Sequence, residues 1–311
     1  MGNFDGVHRG HQAVIGEAGD LASRLDAPLA VLTTEPHPRN FFQANVEPFR
    51  LTPFRAKAHH LEAFGVDVMV VLHFDKTLAG MTAQDFVLDV LLGGLGAHHV
   101  VVGYDYRFGK GRGGGVDVLR WMGLMEDFGV TVMAPIGREA KGCNSMAYSS
   151  SSIREALKNG RPRAAAAALG HWWTIDGQIV QGDRRGRTIG FPTINIAMTE
   201  YIKPLLGVYA VRVMIADGPH AGLYNAVANI GRRPTFGRKD VILEAHLLDF
   251  TGDLYGRHAH VEVVDFIRPE MKFAGLDALK PQIARDCEAA RELLARTPNA
   301  RDALSPPQRG R

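Results

Sequence analysis

Three apolar runs in the first half of the chain restrict its fold more than any other feature. Pro28–Thr34 (P-L-A-V-L-T-T), Val66–Leu72 (V-D-V-M-V-V-L) and the segment from His99 to Val102 each read as a buried strand running into polar or glycine-rich sequence. Helix-like segments, Ala56–Phe64 and Ala83–Leu92, separate them, and Val130–Pro135 reads as a fourth strand. Strands buried on both faces and alternating with helices predict a parallel sheet wrapped by helices, with ligands at the carboxyl ends of the strands. The pattern changes near His171, after an Ala-rich helix at Ala164–Leu169. From there Trp173–Val180, Gly207–Ile215, Gly222–Ile230, Val241–Phe250 and His258–Ile267 alternate apolar and polar residues between glycine-rich turns, predicting a small antiparallel β-barrel. A helix over Leu276–Ala295 follows, with Pro281 expected to kink or restart it. The expected organisation is an α/β domain over 1–170, a β-barrel domain over 171–296, and a Pro- and Arg-rich disordered tail over 297–311.

The strand ends carry the chemistry. Residues 2–11 read G-N-F-D-G-V-H-R-G-H and run into a helix expected from about Gln12 to Arg24. His8 and His11 can face the same way at the opening of that helix, as caps or as partners of a phosphate held by the helix N-terminus. The third strand leads into G-Y-D-Y-R-F-G-K-G-R-G-G-G (Gly103–Gly115), open to reading as a surface loop or a single-stranded nucleic-acid platform. Ser149, Ser150 and Ser151 open another helix with Arg154 one turn on, which fits a cap or a phosphate grip. In the barrel half, Gly182–Asn195 reads G-D-R-R-G-R-T-I-G-F-P-T-I-N. It is either a solvated basic turn or a phosphate cradle, with Thr193 and Asn195 offering neutral oxygens suited to magnesium.

Composition narrows the partners. No apolar run reaches the ~18 residues that span a bilayer, so no membrane association is expected. Two cysteines, Cys143 and Cys287, are too few for a disulfide framework and suit a reducing cytoplasm. A net charge of +3 permits anionic small ligands, and without a long Lys/Arg cluster nucleic acid is not expected. A monomer or weak homo-oligomer is expected. His59–His60 and His98–His99 are adjacent pairs whose side chains diverge, which does not make a metal site.

Taken in order, G-N-F-D-G-V-H-R-G-H, E-P-H-P, G-x-D-Y-R-F-G, S-S-S-x-I-R and G-x-x-x-G-R-T-I-G-F-P-T-I-N resemble the bacterial bifunctional riboflavin kinase/FAD synthetase family from Gly2 to about Arg296. The resemblance implies a Rossmann-like nucleotidyltransferase domain making FAD from FMN and ATP, and a kinase domain making FMN from riboflavin and ATP. It implies that Asn3, His8, Gly10 and His11 hold ATP phosphates, with Ser149, Ser150, Ser151 and Arg154 on the pyrophosphate side. Asp105 and Phe108 are placed near flavin or adenine, although Phe108 also suits a core position. In the kinase domain it implies phosphate contacts from Gly182, Gly186 and Arg187, and Mg2+ and ATP contacts from Thr193 and Asn195. Glu244 in L-E-A-H-L becomes the base for the riboflavin hydroxyl, with Gly231–Phe236 and Arg268 on the flavin side.

Three positions depart from the pattern. The family's apolar strand ahead of G-x-F-D-G is missing before Met1, and the expectation is that the natural start lies upstream. Thr34 stands where an aromatic is common, and Gly115 where Asp or Asn is common. Two other readings remain at this point: riboflavin kinase activity only, and a non-catalytic flavin- or nucleotide-binding regulator.

Overall fold

The computed structural model describes residues 1–43, 47–140, 143–181, 191–232 and 241–297. Contacts divide the chain into two units, one within residues 1–46 and 57–148, the other within 47–56 and 149–305.

The first unit starts from α1 (Arg9–Arg24), whose ends and length follow the expected helix with one earlier turn. In place of one expected parallel sheet there are two separate two-stranded parallel sheets: β1 (Ala30–Glu35) with β2 (Val68–His73), and β3 (His99–Gly103) with β4 (Gly129–Met133). No strand precedes α1 among the described residues. Instead Gly2 N–H donates to Leu32 O at 3.1 Å and Met1 N donates to Val101 O at 3.1 Å, so residues 1–2 lie between β1 and β3. α2 (Phe54–Ala63), which from Lys57 onward lies in this unit, matches the helix expected at Ala56–Phe64, and α3 (Val116–Met125) is a helix that the sequence pattern did not reveal. The segment at 86–94 is a π-helix following a short α-turn, wound wider than the α-helix the sequence suggested. Two apolar clusters hold the unit: Phe86, Val87, Leu91, Val100, Val102, Leu119 and Met122 in one, and Phe4, Val7, Ile15, Leu29, Val31 and Leu61 in the other.

β5 (Gly137–Ala140) and β6 (Cys143–Ala147) form a short antiparallel hairpin that the sequence pattern did not reveal. At Gly115 a Cβ would sit 2.6 Å from Arg107 Nη1, the far end of an exposed side chain that can move aside, so nothing in the structure explains this departure. Thr34, the other departure, has a buried hydroxyl with no hydrogen-bond partner among the described residues.

In the second unit α4 (Ser150–Lys158) and α5 (Pro162–Leu169) precede a six-stranded antiparallel sheet. Its strands are β7 (Trp173–Gln178), β8 (Ile194–Ala197), β9 (Gly207–Ile215), β10 (Gly222–Arg232), β11 (Val241–Leu247) and β12 (His258–Pro269). Their order is β7-β12-β9-β10-β11-β8, and Val180 N–H donates to Asn195 O at 2.9 Å, drawing the two edges together into a nearly closed barrel. Period-two alternation sends Ile194, Ile196, Val211, Val213, Ala228, Ile230, Leu243, Ala245 and Val261 inward. The outer face of β9, β10 and β12 is covered by α6 (Leu276–Ala295), through Val208, Ala210, Val227 and Val264 against Cys287, Ala290 and Leu294. α6 is one continuous helix through Pro281, so the second start expected there is corrected; the proline, sixth in the helix, lacks the N–H that would have donated to Asp277 O.

Candidate active sites

In the α/β unit the G-N-F-D-G turn is strained: Phe4 and Val7 hold φ of 48° and 41°, a left-handed conformation rare for such side chains. Both side chains are buried in the core beneath α1, and that burial holds the turn in place. The turn delivers His8 as the N-cap of α1, with Nδ1 accepting a long hydrogen bond from His11 N–H at 3.4 Å. With Nδ1 used as an acceptor, neutral His8 carries its proton on Nε2. The His8 and His11 rings stack at 3.6 Å between centroids, 19° from parallel. Gly10 makes room for them, because a Cβ there would lie 3.2 Å from the His8 ring. His11 Nδ1 is buried and has no hydrogen-bond partner among the described residues. Burial, then His8, Lys57 and the N-terminal ammonium hold the His11 pKa well below its ordinary value. At neutral pH His11 is therefore an uncharged imidazole at a helix N-terminus, suited to taking up charge when a phosphate arrives.

Lys57 is a residue the sequence reading missed. Its side chain is buried, with Nζ 3.2 Å from Glu35 Oε1 and 3.3 Å from Thr33 Oγ1, at the carboxyl end of β1. Nothing in R-A-K-A-H-H-L marks this lysine; it is buried because a helix and the end of a strand meet there. Among the other expected residues, Asn3 is exposed on the same turn, and Asp105 lies on an exposed turn after β3. Phe108 is buried, stacked on Tyr106 at 5.7 Å and tilted against Phe86 at 5.5 Å, which is the core position that the sequence left open.

Ser149, Ser150, Ser151 and Arg154 belong to the second unit. Ser149 is the N-cap of α4, its Oγ accepting from Ser152 N–H at 3.2 Å and meeting Ser152 Oγ at 3.1 Å. Arg154 Nε donates to Phe49 O at 2.9 Å, and its guanidinium lies over the Phe49 ring. Gly182, Gly186 and Arg187 fall outside the described residues, as does most of Gly231–Phe236.

On the barrel, cross-strand register does what sequence spacing could not. Asn195 on β8 pairs with Glu244 on β11, and Glu244 pairs with Asn229 on β10. Three polar side chains thus form one row across adjacent strands, on the face opposite the apolar interior. Asn195 is 2 % exposed, and its Oδ1 accepts no hydrogen bond among the described residues. Burying a carbonyl oxygen without a partner costs roughly 1–3 kcal/mol, so the atom suits a ligand. Asn229, half-buried beside the carboxylate, escaped the sequence reading because asparagine in N-I-G reads first as a turn residue. Arg268, expected on the flavin side, is anchored within its own unit. Its Nε and Nη2 clasp Asp286 of α6 at 2.9 and 2.7 Å, and Nη1 donates to Pro269 O at 3.0 Å. That geometry makes it a pin between β12 and α6.

Two family models match in tandem, one described as FAD synthetase over residues 1–147 and one described as riboflavin kinase over residues 169–294. With the phosphate-suited helix end on one unit and the carboxylate row on the other, they define a nucleotide-dependent transferase with two catalytic units. The bifunctional riboflavin kinase/FMN adenylyltransferase of Escherichia coli K12 is 41% identical over 298 residues, covering 96% of this chain and 92% of that protein. Its counterpart in Haemophilus influenzae is 39% identical over 291 residues, covering 94% and 92%. A crystal structure from Streptococcus pneumoniae, described as a macrolide-efflux protein, matches with a TM-score of 0.80 at 31% identity over 94% of this chain and 92% of its own. Among the described residues no helix is long and apolar enough to cross a membrane. The chain belongs to the bifunctional riboflavin kinase/FMN adenylyltransferase family.

Proposed function

We infer that this chain phosphorylates riboflavin to FMN with ATP and then transfers the adenylyl group of a second ATP to FMN, giving FAD and pyrophosphate. The observation that carries the kinase half is the buried Asn195 Oδ1, without a hydrogen-bond partner among the described residues, on the strand residue in register with Glu244. A primary alcohol is a poor nucleophile, and a carboxylate one strand from the nucleotide site can take its proton as the bond to the γ-phosphorus forms and ADP leaves. Glu244 is that base. Asn195 Oδ1 and the Thr193 hydroxyl are hard neutral oxygens, which fit a magnesium ion that keeps several waters. When bound, the ion supplies positive charge to the phosphate oxygens.

In the α/β unit the FMN phosphate is already ionised at neutral pH and needs no base. One of its oxygens attacks the α-phosphorus of ATP, and pyrophosphate departs. Positioning and charge stabilisation therefore carry the rate. His8 Nε2–H donates to a phosphate oxygen, and neutral His11 adds a second contact at the α1 N-terminus. Ser149, Ser150, Ser151 and Arg154 carry the family's S-S-S-x-I-R pattern at the start of α4, Ser149 keeping its capping bond. Asn3 and Gly10 complete the turn, and Asp105 stays a candidate for the flavin or adenine side.

The test is product analysis after incubating the chain with riboflavin, ATP and Mg2+. FMN should accumulate first and FAD later, and chelation of the metal should stop both. FMN without FAD would leave a kinase only, and absence of FMN would remove the kinase assignment.

A further inference from the structure

His246 lies two residues beyond Glu244 on β11 and points to the same face of the sheet. Its Nδ1 is 2.8 Å from Pro192 O, across 54 residues of sequence. A carbonyl oxygen only accepts, so Nδ1 carries the proton and donates. Phe191, the neighbour of that carbonyl, stands edge-on to the His246 ring at 5.3 Å and 80°, and packs against the apolar layer under α6. The Phe191–Pro192 segment is thus clamped by an aromatic contact and a hydrogen bond, both made to β11 or the layer beside it. Thr193 follows directly, and Asn195 pairs with Glu244.

We propose that His246 is a positioning residue of the kinase site, its Nδ1–H fixing the Pro192 carbonyl so that Thr193 and Asn195 meet the nucleotide in line with Glu244. The proposal rests on the kinase reading given above. Thr193 immediately precedes β8 and has no register partner of its own, because the β8–β11 pairing begins at Ile194 opposite Ala245. The clamp on Pro192 therefore anchors the residue directly before it. An exposed neutral hydrogen bond is worth enough to change a binding constant about three- to tenfold.

The geometry gives a test that plain loss of packing cannot imitate. Asparagine places its amide N–H where histidine places Nδ1, while glutamine places its own one bond further out, where histidine has Nε2. The variants His246→Asn, His246→Gln and His246→Ala are compared by KM for ATP, KM for Mg2+ and kcat in riboflavin phosphorylation. FAD formation from supplied FMN in the same chain reports on folding. His246→Ala and His246→Gln should raise the ATP and Mg2+ KM about three- to tenfold with a smaller change in kcat, and His246→Asn should stay near wild type. Unchanged KM in His246→Ala, or equal behaviour of the Asn and Gln variants, overturns the proposal. Failure of the wild-type chain to phosphorylate riboflavin would instead remove the kinase reading before any variant is compared.

Discussion

Glu244 and Lys57 show how a single charged group is read differently by burial. Glu244 is half-buried, between Asn195 and Asn229 in the sheet, and its role as base depends on a proton acceptor at the hydroxyl. Glu244→Gln keeps the shape and removes that acceptor, so riboflavin phosphorylation should fall by about 10²–10⁴-fold. FAD formation from supplied FMN should not change, and chromatographic separation of the flavins measures both. Lys57 forms a pair with Glu35 in which the two side chains are 4% and 19% exposed. Lys57→Met removes the cation from this pair and should destabilise the α/β unit by about 3 kcal/mol, whereas Lys57→Met with Glu35→Gln should regain most of that. Heat inactivation of FAD synthesis follows the effect, with kinase activity as reference. Equal losses in the single and double variants would contradict it. Glu244 was legible because L-E-A-H-L carries a family pattern. Lys57 was not, because its meaning depends on a carboxylate 22 residues away in sequence.

At the scale of elements, the expected strands and helices were found where period and length agreed, as in β9, β11 and α6. Those missed were short or lacked a one-sided pattern. β8 is four residues long, I-N-I-A, too brief for its alternation to stand out after a proline. α3 has Leu119 and Met122 buried while Trp121, Leu124 and Met125 are exposed, so apolar residues surround the helix and hide its face. Yet β8 carries Asn195, and without it the row through Glu244 cannot be drawn. The β9–β12 pair shows what such a row depends on. Gly207 has φ of 153°, and a Cβ there would lie 2.3 Å from Arg268 O, which is backbone of the neighbouring strand. Gly207→Ala must part the ladder at that point, and a loss of about 2–3 kcal/mol in urea unfolding of the barrel is expected. An unchanged midpoint would mean that the strand end moves aside freely.

For the whole chain, the two activities should respond differently to acid. His11 is held below its ordinary pKa, chiefly by burial and then by His8 and Lys57. His99 is lowered too, again by burial first, with Glu17 opposing and Arg24 adding to the effect. Both belong to the α/β unit. A histidine with a folded pKa below its unfolded value binds fewer protons when folded, so stability is full above the unfolded pKa near ~6.5 and falls as pH drops below it. Each such group contributes a slope of at most about 1.4 kcal/mol per pH unit. Heating at pH 7.5 and at pH 5.5, followed by assay at neutral pH, should therefore show FAD synthesis becoming heat-labile in acid sooner than FMN synthesis. His11→Asn should flatten part of that dependence, because an amide does not titrate in the window. ATP present during heating should blunt it as well, since phosphate favours the charged imidazole in the folded state and raises its pKa. The argument fails if both activities lose heat resistance in parallel, or if the acid sensitivity of FAD synthesis is the same in His11→Asn as in wild type.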